Sequence, residues 1–165
     1  MTPLSEAPTP AAPKVRVGHV HLKVADLERA IAFYSGVLGF DVMQRFRSGA
    51  AFLSAGGYHH HIGLNVWESA GGTPPPPGHT GLYHTAFLYP TRADLADAVR
   101  RVMAAGIPID GAADHGVSEA VYLRDPDGNG VELYWDKPRE DWPVDADGHL
   151  AMGNWRLDLE GLLAS

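Results

Sequence analysis

The stretch DHGVSEAVYLRDPDGNGVELYW, residues 114–135, predicts a β-hairpin. Asp, Pro and Gly at positions 125–128 are the residue types that form tight turns. The segment before this turn carries Tyr122 and the segment after it carries Glu132, and His115 opens the stretch. We therefore expect two antiparallel strands that hold a phenol and a carboxylate at fixed offsets from an imidazole.

The carboxylate of Glu132 lies inside an apolar run, residues 131–135. Burying a carboxylate costs free energy unless the group is paired or binds a metal. Because the run predicts a buried strand, Glu132 needs partners from the rest of the chain. It is the first candidate for a functional side chain.

A chain of 165 residues, 45% hydrophobic and 20% charged, is typical of one globular domain with a proper core. The formal net charge of -7 argues against a nucleic-acid or anionic-membrane surface. No apolar run approaches membrane-spanning length, and residues 1–14 lack the apolar segment of a signal peptide. The absence of cysteine excludes disulfides, zinc–thiolate sites and a thiol nucleophile. A chain without disulfides fits the reducing cytoplasm, so we expect a cytoplasmic protein.

Histidine is unusually frequent, with 9 in the chain. Imidazole is the commonest metal ligand in proteins, so this number indicates a metal site. Seven of the histidines lie on or beside predicted strands: His19, His21, His59, His60, His61, His84 and His115.

The first half of the chain predicts a strand, a helix and three more strands. Residues 15–24 alternate between two faces, with His19 on the more polar face. Asp26 is the expected cap of a helix over residues 27–38. The three further strands are expected at residues 40–47, 50–55 and 58–67.

The second half repeats this order after a loop with four consecutive prolines. A strand is expected at residues 82–89, carrying His84 at the place that His19 takes in the first half. A helix capped by Thr91 follows over residues 92–105. Strands at residues 107–110, 119–124 and 130–136 complete the repeat, a weak internal duplication.

These patterns predict an α+β fold in which two βαβββ units, residues 15–67 and 81–138, form one module. Residues 1–14, rich in Pro and Ala, predict a disordered lead-in. Residues 139–165 form a C-terminal extension, in which Asn154 is the expected cap of a short helix.

The tandem arrangement, which opens with GHVHLKVADLERAIAFYSGVLGF at residues 18–40, resembles the vicinal oxygen chelate superfamily. That group includes glyoxalase I, bleomycin- and fosfomycin-resistance proteins and extradiol dioxygenases. The resemblance covers roughly residues 15–138 and implies two half-barrel units that enclose a divalent metal. The metal ligands that it implies here are His19, His84 and Glu132, with His21 as the rival of His19.

The hairpin stretch is similar to the signature of extradiol dioxygenases of the catechol 2,3-dioxygenase kind. The matching residues are His115, Val121, Tyr122, Asp125, Pro126, Gly128 and Glu132. One position departs, since Ala113 stands where that family usually has Gly, Asn, Thr, Ile or Val. Many members carry two modules in one chain, whereas this chain has one.

A second match is HHHIGLN, residues 59–65, which resembles the strand whose second histidine lines the active site of these enzymes. The resemblance implies His61 as the acid/base, with His60 as its rival. It also implies that Tyr122 hydrogen-bonds a substrate oxygen and that His115 orients the substrate. Two histidines and one carboxylate suit non-haem Fe(II), and Mn(II) is possible in such a site. The substrates implied are a small catechol-type diol and O2.

Two alternatives stay open at this point. One is a metal-dependent isomerase, lyase or thiol transferase of the glyoxalase or fosfomycin-resistance type. Glyoxalase-type sites usually have another acidic ligand on the last strand of the first unit, and that strand has none here. The other is a non-catalytic module that sequesters a drug-like molecule. The single module, with the Leu and Trp residues of its tail, further predicts a homodimer.

Overall fold

The computed structural model describes residues 9–165, so residues 1–8 of the predicted lead-in lie outside the described residues. No helix in the described range is long and apolar enough to cross a membrane. The first unit contains β1 (Val20–Lys23), α1 (Leu27–Ile31), a π-helical turn (Ala32–Val37), β2 (Asp41–Phe46), β3 (Ala50–Ser54) and β4 (Ile62–Asn65).

The second unit and the extension follow in chain order. They contain β5 (Thr85–Leu88), α2 (Arg92–Ala104), β6 (Ile109–Asp114), β7 (Ser118–Arg124), β8 (Gly130–Asp136), a 3-10 turn (Arg139–Asp141), β9 (Trp155–Arg156) and α3 (Leu159–Leu163). The predicted α+β duplication is therefore confirmed, although β1 is shorter than expected and starts just after His19.

The strands form two separate sheets, with orders β1-β4-β3-β2 and β5-β8-β7-β6-β9. In both units the first strand runs parallel to the last one, and the other pairings are antiparallel. Ala86 is opposite Glu132 on β8, and Tyr122 on β7 is opposite Glu132 from the other side. Because residues directly opposite in neighbouring strands share a sheet face, these three side chains lie on one face.

The opposite face of each sheet packs onto a single core shared by both units. Phe87 of β5 packs against Tyr34 and Phe40 of the first unit, with ring centroids 6.4 and 5.0 Å apart. From α2, Leu95 and Val99 are fully buried in the same cluster. Removal of this apolar surface from water stabilises the fold and leaves the histidine-bearing faces turned away from the core.

The turn between β7 and β8 joins the two units through a buried carboxylate. Asp125 Oδ1 accepts the backbone N–H groups of Asp127 and Asn129, both at 2.9 Å. Its Oδ2 accepts the hydroxyl of Tyr34 at 2.9 Å. Burial and the Asp125 carboxylate raise the pKa of Tyr34 well above its usual value, so the hydroxyl stays a donor. Asp127 adds an ion pair with Arg29 at 2.7 Å.

The extension differs from the prediction at its helix. Asp158, not Asn154, caps α3 by accepting the N–H of Gly161 at 3.0 Å. Trp155 belongs to β9, which pairs with β6 at Asp114. The sequence pattern was ambiguous here because a two-residue strand is too short to show alternation.

Candidate metal and substrate site

Four of the six predicted site residues lie in one continuous line on the open face of the second sheet. His84 Nε2 lies 2.7 Å from Glu132 Oε2, and the hydroxyl of Tyr122 lies 3.2 Å from Glu132 Oε1. The same hydroxyl lies 2.6 Å from His115 Nε2. The line therefore connects two candidate metal ligands to two candidate substrate-binding groups.

Strand pairing and one glycine bring His84 to Glu132. His84 precedes β5 by one residue and falls on the face of Ala86, which is paired with Glu132. A Cβ at Gly130 would lie 2.2 Å from the carbonyl oxygen of Tyr83 and 3.0 Å from His84 Cβ. Only glycine lets the segment that carries His84 lie this close to β8.

Glu132 is 9% exposed, so the predicted burial of this carboxylate is confirmed. Its two oxygens have different partners, an imidazole on one side and a phenol on the other. Burial, followed by the charge of Glu132 and the hydrogen bond to it, raises the pKa of Tyr122 to about 12. Tyr122 is therefore a neutral phenol at neutral pH.

The donor set fits a divalent metal at His84 and Glu132. An imidazole nitrogen and a carboxylate oxygen converge, and these are ligand types that Fe(II) and Mn(II) accept. The other ring nitrogen of His84, Nδ1, is buried, and within residues 9–165 it has no hydrogen-bond partner. Two of the three predicted ligands therefore lie in contact with each other.

His19 does not join these two ligands within the chain. Among the described residues, one group of three His, Asp or Glu side chains has its ligand atoms all within 4.8 Å, and that group is Asp145, Asp147 and His149 on the surface. His19 immediately precedes β1 of the first sheet, which shares no strand pairing with the second. The assignment of His19 as a metal ligand stays a prediction.

His19 instead belongs to a run of rings on the open face of the first sheet. The centroid of His60 lies 4.4 Å from that of His19 and 4.9 Å from that of Phe52. Phe46 continues the run at 5.5 Å from Phe52. Burial and the neighbouring His19 lower the pKa of His60, which favours the neutral ring.

His61 lies beside this run, and its Nδ1 contacts Ser54 at the end of β3 and Ala55, the residue after that strand. Nδ1 lies 3.1 Å from Ser54 Oγ and accepts the N–H of Ala55 at 3.3 Å. Because Nδ1 is an acceptor, a neutral His61 carries its proton on Nε2. The carbonyl of His61 accepts the N–H of Val20, the residue that follows His19, at 3.0 Å. Its predicted acid/base role stays a prediction.

His21, the rival of His19, has its Nε2 3.0 Å from Asn65 Nδ2, whose amide group donates to it. Its ring covers Gly63, where a Cβ would lie 2.8 Å from the imidazole. Burial, followed by the charge of His19, lowers the pKa of His21. With Nε2 occupied, His21 is held against the sheet.

A pocket adjoins the line of site residues on the second sheet. It is lined by Tyr83, His84, Gly111, Tyr122 and other residues of β6 to β8. Gly111 is directly opposite Tyr122, and a side chain at Gly111 would meet nothing within 4 Å. The space above Tyr122 is therefore open to a small molecule.

One contact of the site has no signal in the sequence. His115 Nδ1 lies 2.8 Å from the carbonyl oxygen of Gly153 in the extension, 38 residues away. A backbone carbonyl can be supplied by any residue, so no side-chain pattern indicates this partner.

Comparison with known proteins agrees with this fold. The chain is 43% identical over 147 residues to a catechol-2,3-dioxygenase of Bacillus subtilis (strain 168), covering 89% of this chain and 50% of that protein. It is 37% identical over 122 residues to biphenyl-2,3-diol 1,2-dioxygenase 3 of Rhodococcus globerulus, covering 73% of this chain and 63% of that protein. The chain thus spans about half the length of the first relative and less than two thirds of the second.

Two solved structures share the arrangement of the elements. A glyoxalase/dioxygenase from Nostoc punctiforme has a TM-score of 0.62 at 24% identity. Its match covers 81% of this chain and 100% of the Nostoc chain. A lactoylglutathione lyase from Agrobacterium tumefaciens has a TM-score of 0.57 at 26% identity. Its match covers 75% of this chain and 96% of the lyase chain. Residues 16–133 match the glyoxalase/bleomycin resistance protein/dioxygenase superfamily. The chain belongs to this superfamily, as its duplicated βαβββ sequence pattern predicted.

Proposed function

We propose that this chain is a metal-dependent extradiol dioxygenase that cleaves the ring of a small catechol-type diol with O2. The observation that carries the proposal is the line of His84, Glu132, Tyr122 and His115 on one open sheet face. A metal-ligand pair, a neutral phenol and an imidazole in this order suit a substrate with two adjacent hydroxyl groups. The names of the Bacillus and Rhodococcus relatives support the same reaction class.

The metal would be Fe(II), with Mn(II) as the other candidate, held by His84, Glu132 and His19. When bound, it would supply the path by which electrons pass between an anionic diol and O2. Glu132, itself buried, would balance part of its charge. The residual positive charge would favour binding of a diol that has lost a proton.

The remaining residues would handle the substrate's protons and orientation. Tyr122, whose pKa of about 12 keeps it neutral, would hydrogen-bond a substrate oxygen without adding a negative charge. His115 would position the Tyr122 phenol through the contact between its Nε2 and the Tyr122 hydroxyl. His61 would act as the general acid/base, since its Nδ1 contacts leave Nε2 directed away from Ser54 and Ala55.

We also propose that the protein acts as a homodimer in which His19 of one copy completes the site of the other. Within the described residues, His19 adjoins the first sheet and the His84–Glu132 pair belongs to the second, and no strand pairing links the two sheets. Both open faces carry exposed apolar side chains, with Phe46 45% and Leu88 54% exposed. A second copy laid across these faces would cover them and bring the two parts of the metal site together.

Oxygen uptake with a panel of catechols tests the reaction after anaerobic loading with Fe(II) or Mn(II). We expect uptake together with a coloured ring-opened product, lost in Glu132→Ala and His84→Ala. His61→Ala should lower the rate on the order of 100-fold or more, with a smaller effect for His60→Ala. His79→Ala, in an exposed loop, is the matched control.

The alternatives give different results in the same assay. Metal binding without uptake on any catechol would favour a metal-dependent isomerase, lyase or transferase. The last strand of the first unit, Ile62–Asn65, has no carboxylate, which does not favour that reading. Absence of metal binding would refute the proposal and favour a sequestering module.

A further inference from the structure

The C-terminal extension, residues 139–165, contacts the site through one backbone group. The carbonyl oxygen of Gly153 lies 2.8 Å from His115 Nδ1, and the N–H of Gly153 donates to the carbonyl oxygen of His115 at 3.1 Å. The two residues are thus joined by two hydrogen bonds, one from the His115 side chain to the Gly153 backbone and one between their backbones. Gly153 is the partner of His115 on the side of the ring away from Tyr122.

This contact decides which nitrogen of a neutral His115 carries the proton. A carbonyl oxygen only accepts hydrogen bonds, so Nδ1 must be the donor at 2.8 Å. Nε2 is then an acceptor, and the hydroxyl of Tyr122, 2.6 Å away, donates to it. The opposite tautomer would set two acceptors, Nδ1 and the Gly153 oxygen, against each other.

The tautomer in turn decides where Tyr122 sends its single proton. The hydroxyl lies between His115 Nε2 at 2.6 Å and Glu132 Oε1 at 3.2 Å and can donate to one of them at a time. With the Gly153 contact in place, Nε2 of a neutral His115 competes with Glu132 for this proton through the shorter of the two contacts. When the proton points to His115, Glu132 Oε1 is free of it, while Oε2 keeps its contact with His84 Nε2 at 2.7 Å.

The extension is built to hold this carbonyl in place. Trp155, two residues on, pairs with Asp114 in the sheet, and Lys137 binds both carboxylate oxygens of Asp114 at 2.8 and 2.7 Å. A Cβ at Gly153 would lie 2.3 Å from the ring of Trp155. The ring therefore leaves no room for a side chain at Gly153, and the backbone there approaches His115 closely.

We propose that Gly153 is a positioning residue, whose carbonyl sets the tautomer and orientation of His115 and, through it, the proton of Tyr122. Its effect on catalysis rests on the proposed dioxygenase function, whereas its effect on the tautomer does not. Partners that fix the tautomer of a metal-ligating histidine change metal affinity or activity about 10- to 100-fold when they are altered, and we expect the lower end of that range for His115, which is not a ligand.

The test compares Gly153→Ala, Trp155→Ala and the double variant. A methyl at position 153 collides with the Trp155 ring unless the ring or the Gly153 backbone moves, whereas the double variant removes the ring that causes the collision. Trp155 is 55% exposed, so Trp155→Ala alone is the matched control that keeps the Gly153 carbonyl. Long-range 1H–15N spectra of the imidazole nitrogens in metal-free protein report the tautomer, with His115→Asn as the assignment reference.

We expect Nδ1-protonated His115 in wild type, Trp155→Ala and the double variant, and a mixture of tautomers in Gly153→Ala. In the Fe(II)-loaded protein, kcat should fall about tenfold in Gly153→Ala, with recovery in the double variant. If wild type lacks dioxygenase activity while the spectra change as expected, the proposed function fails and the positioning role stands.

Two results would overturn the inference. One is a wild-type spectrum with the proton on Nε2 of His115, which decides the matter even if Gly153→Ala does not fold. The other is a folded Gly153→Ala protein that keeps the Nδ1 tautomer although a shifted backbone amide signal at residue 153 shows that its backbone has moved. Thermal unfolding of each variant shows whether it is folded at the temperature of measurement.

Discussion

His84 Nε2 lies 2.7 Å from Glu132 Oε2, beside the parallel pairing of β5 with β8. The two residues are 48 positions apart in the chain (132 − 84), and the duplicated strand order brings them onto one face. A buried carboxylate next to an imidazole is an arrangement in which both groups could bind one divalent metal.

Replacement of this carboxylate should abolish metal binding. Glu132→Gln keeps the size of the side chain but removes the charge that a divalent ion requires, so we expect affinity for Mn(II) to fall by more than about 100-fold. Mn(II) titration followed by electron paramagnetic resonance measures the free ion directly. Glu68→Gln, a surface carboxylate beside Lys23, is the control. Undiminished Mn(II) affinity in Glu132→Gln would show that the ligand assignment is wrong.

Tyr122 should titrate late. Burial and the Glu132 carboxylate raise its pKa from the ordinary 10.0 to about 12, so the folded protein favours the neutral phenol. The unfolded chain loses this proton near pH 10, so the stability contributed by this group is complete below pH 10 and is lost as the pH rises towards 12. Phenolate absorbance recorded from pH 10 to pH 12 should contain a late component that Tyr122→Phe lacks. An unchanged titration curve in Tyr122→Phe would contradict the prediction.

The shared site of the proposed homodimer can be tested by mixing two inactive variants. His19→Ala removes a proposed ligand beside the first sheet and Glu132→Ala removes a proposed ligand on the second. If each site combines the two sheets from different copies, mixed dimers contain one intact site and one doubly damaged site. We therefore expect oxygen uptake to return in part when the two variants are unfolded, mixed and refolded together. Uptake that stays at the level of the separate variants would place the whole site within one chain.

The buried bond between Tyr34 and Asp125 should stabilise the junction of the two units. Tyr34→Phe removes a hydroxyl that donates to a buried carboxylate at 2.9 Å, and such bonds to charged groups contribute about 1.5–3 kcal/mol. We expect the free energy of unfolding in urea to fall by roughly 2 kcal/mol. Tyr58→Phe, at an exposed tyrosine, should change it by less than about 0.5 kcal/mol. Equal effects of the two variants would refute the role given to the Asp125 turn.

The sequence alone determined the repeated βαβββ order and the hairpin that carries Tyr122 and Glu132. These features depend on local chemistry, since alternation predicts strands, Asp26 and Thr91 cap helices, and the 125–128 turn has the residues that turns require. The burial of Glu132 could also be predicted, because it lies in an apolar run.

Only the tertiary structure decided which predicted site residues meet. It joined His84, Glu132, Tyr122 and His115 and left His19 on a separate sheet, because the contact between units depends on how two sheets pack rather than on either pattern. It also placed the Gly153 carbonyl beside His115, through the pairing of the two-residue strand β9 with β6. Every residue has such a carbonyl group. Long-range backbone contacts of this kind carry no side-chain signature, so three-dimensional packing alone selects them.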